Sequence, residues 1–298
     1  MVLRELRKDE WGELAELIFH STNEWYERNL NRGCFGGDDA SICRIFPEVY
    51  EALDPGCCLV AEVDGKLAGS CFYHPRETHV SLGIMNVSPK AGGKGVAGKL
   101  LGEIIRRAGE KPVRLVSSVM NLDSYSLYTR AGFRPTAIFQ DMYFPEGKSL
   151  PPAGMQVRPA VMEDVPALVA LEEELAGIRR GQDFEYFIEN AAGIWSGFVF
   201  EGKEGIEGFL FAVDHPGSRM LGPGVMRTPQ VALELISTGL AGFGENSPIF
   251  LIPAKEKELV AGLYAAGARN CEIHVSQVLG ASEEVRGVIM PTFMPETG

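Results

Sequence analysis

The 298-residue sequence predicts a mixed α/β fold that is built twice along one chain. A short strand, a charged turn and an amphipathic helix occur in "LRELRKDEWGELAELI" and again in "QVRPAVMEDVPALVALEEEL". A predicted hairpin follows in each half, as "CLVAEVDGKLAGSCFYH" and "GFVFEGKEGIEGFLFAVDH". A later strand and helix end in "LYTRAGF" and in "LYAAGAR". Four matched elements in one order favour a duplication over the ordinary recurrence of α/β patterns.

The two predicted halves are separated by a stretch rich in proline and glycine. This stretch, "FPEGKSLPPAG", is typical of a linker. We therefore expect one domain over residues 1–147 and a second over residues 155–298.

Composition limits the classes of function. A formal net charge of −12 disfavours nucleic acid and anionic membranes as partners, because both require clustered Lys and Arg. It suits a cationic substrate such as an amine. No apolar run reaches the roughly 18 residues of a membrane span, so we expect a cytoplasmic protein. The six cysteines include no C-x-x-C pair and the five histidines are scattered, so we expect reduced thiols and no metal site.

The stretch "PKAGGKGVAGKLL", residues 89–101, resembles a phosphate-binding loop. A helix beginning at Gly95 leaves its first amides unpaired at the positive end of the helix dipole. A P-loop is excluded because no lysine of the stretch precedes Ser or Thr. Gly93, Gly95 and Gly98 also spell the dinucleotide fingerprint G-x-G-x-x-G. That fingerprint belongs in a first strand–turn–helix unit with an acid about 20 residues later, and both features are missing.

Two further motifs flank the glycine loop. The strand "HVSLGIMNVSP" precedes it, and "NLDSYSLYTRAGF" follows it. Together the three motifs resemble those of the GNAT superfamily, the GCN5-related N-acetyltransferases, over most of residues 1–146. The sequence departs from the family at Gly92, where Gln or Arg is preferred, and at Ser124, where Ala is preferred. The matching positions are Val87, Pro89, Gly92, Gly95, Ala97, Asn121, Ser124, Leu127, Tyr128, Gly132 and Phe133.

The resemblance implies a fold, a co-substrate and a set of binding residues. Each half would be a GNAT-like domain, with a mixed, mostly antiparallel central sheet flanked by helices. Acetyl-coenzyme A would place its pyrophosphate on the glycine loop and its pantetheine beside the fourth strand, while Tyr128 would protonate the departing thiolate. The residues expected to hold acetyl-coenzyme A are Met85, Asn86, Val87, Gly92, Gly93, Lys94, Gly95, Val96, Ala97, Gly98, Asn121 and Tyr128.

The sequence offers several candidates for the general base that would accept the proton of the amine. Strand alternation predicts an apolar face with Val80, Leu82 and Ile84, and a polar face with Glu77, His79, Ser81 and Gly83. The carboxylate position common in the family falls at Ser81, which cannot serve alone. His79 or Glu77 could act through a water held by Ser81. A polar residue at the rim of the strand is an equally open interpretation of His79.

Acceptor residues are expected where the first two helices of the family meet. Asn23, Trp25 and Tyr26 in "HSTNEWYERNLNRG" could shape the acceptor site. The alternative interpretation of Trp25, a core anchor of its helix, is favoured over a direct substrate contact.

The second half lacks the glycine loop. Its corresponding stretch is "GVMRTPQVALELI", in which Pro229 begins the helix and removes a backbone donor. We expect a degenerate repeat that is structural or acceptor-side. The tail "GVIMPTFMPETG" is too apolar for a loose terminus.

These observations predict an N-acetyltransferase. It would move the acetyl group from acetyl-coenzyme A to a primary amine of a small molecule or peptide, by direct attack in a ternary complex without a metal. The alternatives are a non-catalytic acyl-coenzyme A sensor and a dinucleotide-binding protein. Nucleic acid and membrane are not expected as partners, and a homodimer stays open.

Overall fold

The computed structural model describes residues 1–244 and 246–297 and contains an extended sheet flanked by helices. The strands are β1 (Val2–Glu5), β2 (Cys58–Val63), β3 (Lys66–Pro75), β4 (Val80–Val87), β5 (Val113–Ser118), β6 (Arg134–Tyr143), β7 (Val157–Pro159), β8 (Trp195–Gly202), β9 (Gly205–His215), β10 (Ser218–Met226), β11 (Ile249–Pro253), β12 (Arg269–Leu279), β13 (Val288–Met290), β14 (Thr292–Phe293) and β15 (Glu296–Thr297). The α-helices are α1 (Trp11–Leu30), α2 (Ile45–Leu53), α3 (Val96–Ala108), α4 (Leu122–Arg130), α5 (Val165–Ala176), α6 (Gly181–Glu189), α7 (Pro229–Ala241) and α8 (Lys257–Ala265).

The same order of elements occurs twice. A strand, two helices, three strands, a helix, a strand, a helix and a strand run from β1 to β6 and again from β7 to β12. The α/β fold with a mixed, mostly antiparallel sheet is therefore confirmed. Within the described residues, no helix has both the length and the apolar character needed to cross a membrane.

One continuous sheet joins the two halves, and each half contributes its last strand to the other. The strand order is β1-β2-β3-β4-β5-β12-β6-β11-β10-β9-β8-β7, with β13 also paired to β10. Strand β12 thus lies between β5 and β6, and β6 pairs with β11 of the second half. The proposed boundary near residue 147 falls between β6 and β7 along the chain. The division into two domains at this boundary stays a prediction, because the β5–β12, β12–β6 and β6–β11 ladders pair strands from both sides of it.

The helices cover both faces of the sheet. Alternate residues of β2 enter different clusters: Cys58 and Val60 pack with α1 and α2, whereas Leu59 and Ala61 pack with α3. The cluster on the α1 face extends into the second half and includes residues of α5 and α6. Helices α7 and α8 pack in a separate cluster. The α1 face is therefore a core that both halves share.

Strands β4 and β5 diverge soon after they meet. They are parallel and pair only at Val80 with Val113 and at Ser81 with Arg114. On the other edge of β4, the register against β3 shifts between the Cys71–Met85 and Tyr73–Leu82 pairs, so two residues of β4 oppose one of β3.

This irregularity corrects the expected alternation along the fourth strand. Leu82 packs in the cluster with α3, whereas Ile84 packs against the α1 cluster. The expectation of a single apolar face through Ile84 is therefore wrong, because the inserted residue moves the following side chains to the opposite face. Glu77 and His79 precede the first residue of β4.

The C-terminal segment packs on the first half. Met294 is fully buried in the cluster on the α1 face, and Tyr50 of α2 donates a hydrogen bond to the carbonyl of Phe293 at 2.7 Å. The backbone of β15 lies beside β4 and β5, where these two strands diverge. This segment is an ordered part of the fold, as its apolar composition predicts.

Candidate functional site

A cavity of about 850 Å³ opens between β4, α1 and the N-terminal ends of α3 and α4. Every residue expected to hold acetyl-coenzyme A lines it except Lys94, which is exposed on the glycine loop. The cavity is also lined by residues that were not expected to hold acetyl-coenzyme A or the acceptor: Ser21, Thr22, Ile84, Ala91, Asp123, Ser124, Leu127 and Arg130.

The glycine loop presents backbone to this cavity. Gly93 and Gly95 have φ values of 73° and 74°, in the left-handed region that side chains disfavour. The backbone amide of Lys99 donates the first hydrogen bond of the helix, to the carbonyl of Gly95. The backbone amides of the turn before Lys99 therefore have no intrahelical partner. A Cβ at Gly95 would meet no heavy atom of its surroundings within 4 Å. The loop therefore offers unpaired amides at a helix N-terminus, which is an arrangement suited to phosphate oxygens.

The N-terminus of α3 lies directly over a glycine of β3. A Cβ at Gly69 would lie 2.7 Å from Cγ1 of Val96 and 3.1 Å from the carbonyl oxygen of Asn86. Val96 and Leu100 are buried on this surface. Gly69 thus allows α3 to approach the sheet closely enough to place the loop beside β4. The sequence shows a glycine inside a predicted strand, which is the signal that marks such an approach.

Asn86 connects the cavity to α1. Its Nδ2 donates to the hydroxyls of Ser21 at 2.8 Å and Thr22 at 3.0 Å. Its Oδ1 is buried and has no hydrogen-bond partner among the described residues. The bulge in β4 turns Asn86 toward α1, so this side chain fixes the distance between the strand and the helix.

Tyr128 and Asn121 lie on the opposite side of the cavity. Tyr128 is 6% exposed, and its ring packs against Phe133 at a centroid distance of 5.9 Å. Asn121 is the N-cap residue of α4, and its Oδ1 accepts a hydrogen bond from the amide of Ser124 at 3.1 Å. Asn121 therefore shapes the turn that brings Tyr128 to the cavity.

Two of the three expected acceptor residues reach the cavity. Trp25 and Tyr26 line it, with their rings 5.1 Å apart in an edge-to-face arrangement. Asn23 does not line it, because its Oδ1 accepts from the amides of Cys34 and Phe35 and so organises the loop after α1. Asn23 is a structural residue in this arrangement.

A buried carboxylate from the second half lies behind Tyr26. The hydroxyl of Tyr26 donates to Oε2 of Glu272 at 3.0 Å, and Arg32 reaches the same oxygen at 3.4 Å. Oε1 of Glu272 is buried without a partner among the described residues. Burial, followed by the negative charge of neighbouring groups including Glu272, raises the pKa of Tyr26, so the phenol remains a donor.

Strand pairing places Glu272 beyond the end of β5. His274 pairs with Ser118, the last residue of β5, and the amide of Val119 donates to the carbonyl of Ile273. Glu272 therefore projects past β5 at the end where β4 and β5 diverge. The sequence could not indicate this position, because it depends on the exchange of β12 into the first half.

The residues expected to supply a base do not line the cavity. Glu77 pairs with Arg179, and His79 contacts the hydroxyls of Thr78 and Ser81 at 3.1 Å. His79 is 1% exposed, and burial together with nearby cations, chiefly Arg114, lowers its pKa to about 2. The base role of His79, Glu77 and Ser81 stays a prediction, and this geometry argues against it.

The corresponding slot in the second half is filled by the chain itself. Strands β10 and β11 are parallel and pair only at Met220 with Ile249 and at Leu221 with Phe250. Beyond these pairs, β13 pairs with Gly224–Met226 of β10. This is the end of β10 that corresponds to Met85–Val87 in β4. A ligand lying beside β10 in the same manner would have to displace β13.

Metal ligation has no candidate in the part of the chain that the structure describes, since no group of three or more His, Cys, Asp or Glu side chains is arranged to hold an ion.

In the first half, a glycine loop at a helix N-terminus lies beside a strand that diverges from its parallel neighbour, which is the arrangement that the resemblance to GNAT enzymes predicts. Residues 15–133 match the model of the acetyltransferase (GNAT) family. This segment of the chain is a GNAT-family domain, and membership in that family supports acetyl transfer as the general type of reaction. No curated protein sequence matches the chain.

Solved structures share the arrangement over nearly the whole chain. A proposed acetyltransferase from Pyrococcus horikoshii has a TM-score of 0.76 at 15% identity, covering 97% of this chain and 92% of its own. A GCN5-related N-acetyltransferase from Sphaerobacter thermophilus has a TM-score of 0.61 at 16% identity, covering 96% of this chain and 97% of its own. At 15% and 16% sequence identity, the similarity of these two structures to the chain is a similarity of fold.

Proposed function

We propose that this protein transfers the acetyl group of acetyl-coenzyme A to a primary amine of a small molecule or peptide, by direct attack in a ternary complex. The observation that carries the proposal is the cavity in which the glycine loop, the diverging edge of β4 and Tyr128 come together. The loop would hold the pyrophosphate through its amides. The edge of Met85–Val87 that pairs with no other described strand would pair with pantetheine, in the region where the backbone of β15 also lies, and pantetheine would direct the thioester toward Tyr128.

We also propose a single coenzyme A site per chain. The first-half slot beside β4 opens into the cavity, whereas β13 pairs with the corresponding edge of β10. Thr228 and Pro229 begin α7 where the first half has glycines, and the amide of Val231 is capped by the hydroxyl of Thr228. The second half would therefore contribute structure and acceptor-side residues rather than a second donor site.

Glu272 is the residue that we propose to accept the proton of the amine. It has an unpartnered buried carboxylate oxygen and lies beyond the end of β5. Glu272 does not itself line the cavity, but it accepts a hydrogen bond from Tyr26, which does, so the proton would reach Glu272 through the Tyr26 hydroxyl. The negative charge of a carboxylate behind Tyr26 would also favour the ammonium form of the acceptor in the cavity before deprotonation. This assignment supports a cationic acceptor.

The proposal is tested by release of free coenzyme A from acetyl-coenzyme A across a library of amines. We expect at least one primary amine to stimulate release, and Glu272→Gln to lower kcat/KM for it by roughly 100-fold. Glu24→Gln, an exposed position on α1, is the matched control and should retain activity. Binding of coenzyme A without amine-stimulated release across the library would favour the sensor. Binding of NAD with no affinity for coenzyme A would favour the dinucleotide-binding protein.

A further inference from the structure

A second cavity, of about 880 Å³, lies on the α1 face of the central strands, and none of the described residues lines both cavities. Its floor is formed by β5, β12 and β6, including Arg114, Ser276 and Phe139. The segment between α5 and α6 borders one side, and the chain before and through β13 borders the other. Strands β6 and β12, which the two halves exchange, lie side by side in the sheet. The cavity lies over these two strands, beside β13.

Two buried arginines line this cavity. Arg114 is 6% exposed and Arg180 is 2% exposed. Arg180 binds the buried carboxylate of Glu172 through Nε at 2.9 Å and Nη2 at 2.5 Å, while its Nη1 has no hydrogen-bond partner among the described residues. Arg180 therefore has one guanidinium nitrogen for which the described residues supply no acceptor, in a cavity that the guanidinium group of Arg114 also lines. Burial, and secondarily the charge of Arg180, lower the pKa of Arg114, whereas Glu172 opposes this change.

The rim adds further positive charge. Arg134 donates to the hydroxyl of Ser282 at 3.1 Å, and Lys255 donates to the carbonyl of Val285 at 2.9 Å. These neutral partners orient both cations without cancelling their charge. The acidic residues that line the cavity, Glu283 and Glu284, are exposed at its edge. An excess of cations is therefore concentrated here, in a chain whose net charge is −12.

The remaining walls are largely apolar. Phe139 and Met290 are buried, and Ile178 and Ile289 complete the apolar surface beside the arginines. Burying apolar atoms of a ligand against such walls stabilises a complex, and a single charged group opposite the arginines fixes its orientation.

We propose that this cavity binds a small organic anion, with a carboxylate facing Arg114 and Arg180 and an apolar body against Phe139 and Met290. The carboxylate supplies the acceptor that Nη1 of Arg180 lacks among the described residues. This inference is independent of the acetyl-transfer proposal, because it concerns a separate cavity.

Equilibrium dialysis of the full chain against 4-phenylbutanoate tests the proposal. We expect one binding site per chain, and at least tenfold weaker binding of 4-phenylbutan-1-ol, which keeps the apolar body and removes the charge. Inorganic phosphate should also bind at least tenfold more weakly, because it lacks the apolar body. Equal affinity for the acid and the alcohol, or absence of acid binding at millimolar concentration, would overturn the proposal.

Two variants locate the site. Arg114→Met should weaken 4-phenylbutanoate binding about tenfold or more. The double variant Glu172→Leu/Arg180→Met removes the buried pair without leaving an unpaired carboxylate, and it should weaken binding similarly. Lys94→Ala/Lys99→Ala, on the glycine loop and in the first turn of α3, should leave the affinity unchanged. The opposite pattern, with affinity lost on the glycine loop and kept in Arg114→Met, would assign the anion to the other cavity and refute the inference.

Discussion

Replacing Gly69 by alanine should displace the helix that carries the glycine loop. The added Cβ would lie 2.7 Å from Cγ1 of Val96, 3.1 Å from the carbonyl oxygen of Asn86 and 3.4 Å from Cδ1 of Leu100. Because Val96 and Leu100 are buried, neither side chain can move freely. Overpacking of this kind costs about 1–3 kcal/mol. We expect Gly69→Ala to lower the free energy of unfolding by that amount and to weaken coenzyme A binding.

A second substitution tests the cause. Val96→Ala removes the closest atom, so in the double variant the loss should be smaller than the sum of the two single losses. Gly102→Ala is the control on the same helix, where a Cβ would meet nothing within 4 Å; it should stabilise the protein by up to about 1 kcal/mol. Urea unfolding and calorimetric titration with coenzyme A measure both effects. A Gly69→Ala variant within about 0.5 kcal/mol of the wild type, or additive losses, would refute the reasoning.

Three further predictions concern the expected site residues. Gly95→Val should abolish coenzyme A binding, because the φ of 74° at this position is unfavourable for a β-branched residue. Calorimetry that shows two coenzyme A sites per chain, or unchanged affinity in this variant, would contradict the prediction. Tyr128→Phe should lower kcat roughly 100-fold with nearly unchanged coenzyme A affinity, and full activity would leave Tyr128 a packing residue. Since the pKa of His79 is lowered to about 2, unfolding takes up a proton below the ordinary imidazole pKa of about 6.5. The free energy of unfolding should therefore fall, by up to about 1.4 kcal/mol per pH unit, as pH drops below that value. His79→Gln should flatten this slope in unfolding curves at pH 5.0 and 7.5, and an unchanged slope would exclude His79 as its source.

Local patterns in the sequence predicted much of the fold. The hairpin of β2 and β3 and the glycine loop before α3 each depend on residues close together along the chain. The expected positions Met85–Val87, the loop glycines and Tyr128 line one cavity for this reason. The matching order of elements in the two halves was also visible, because hydrophobic periodicity marks elements regardless of how they later pair.

What the sequence could not predict depends on pairing between distant residues. The position of Ile84 was predicted wrongly, because a bulge reverses strand faces without a local signal. Glu272 was missed because nothing in "RNCEIHVSQ" indicates that β12 joins β5 of the other half. His79 illustrates the converse case: alternation placed it on a polar face, while packing against the second half buries it among arginines.

The exchange of β6 and β12 has a consequence for the order of events during synthesis. When residues 1–143 have left the ribosome, β5 has one edge without its final partner, and β6 has neither of its own. The partner of β5 is made about 150 residues later, which at 5–20 residues per second takes roughly 8–30 s. During that interval an open strand edge is exposed to pairing with other chains. The nascent first half is therefore a candidate client for chaperones, and its fold is completed only when β12 arrives.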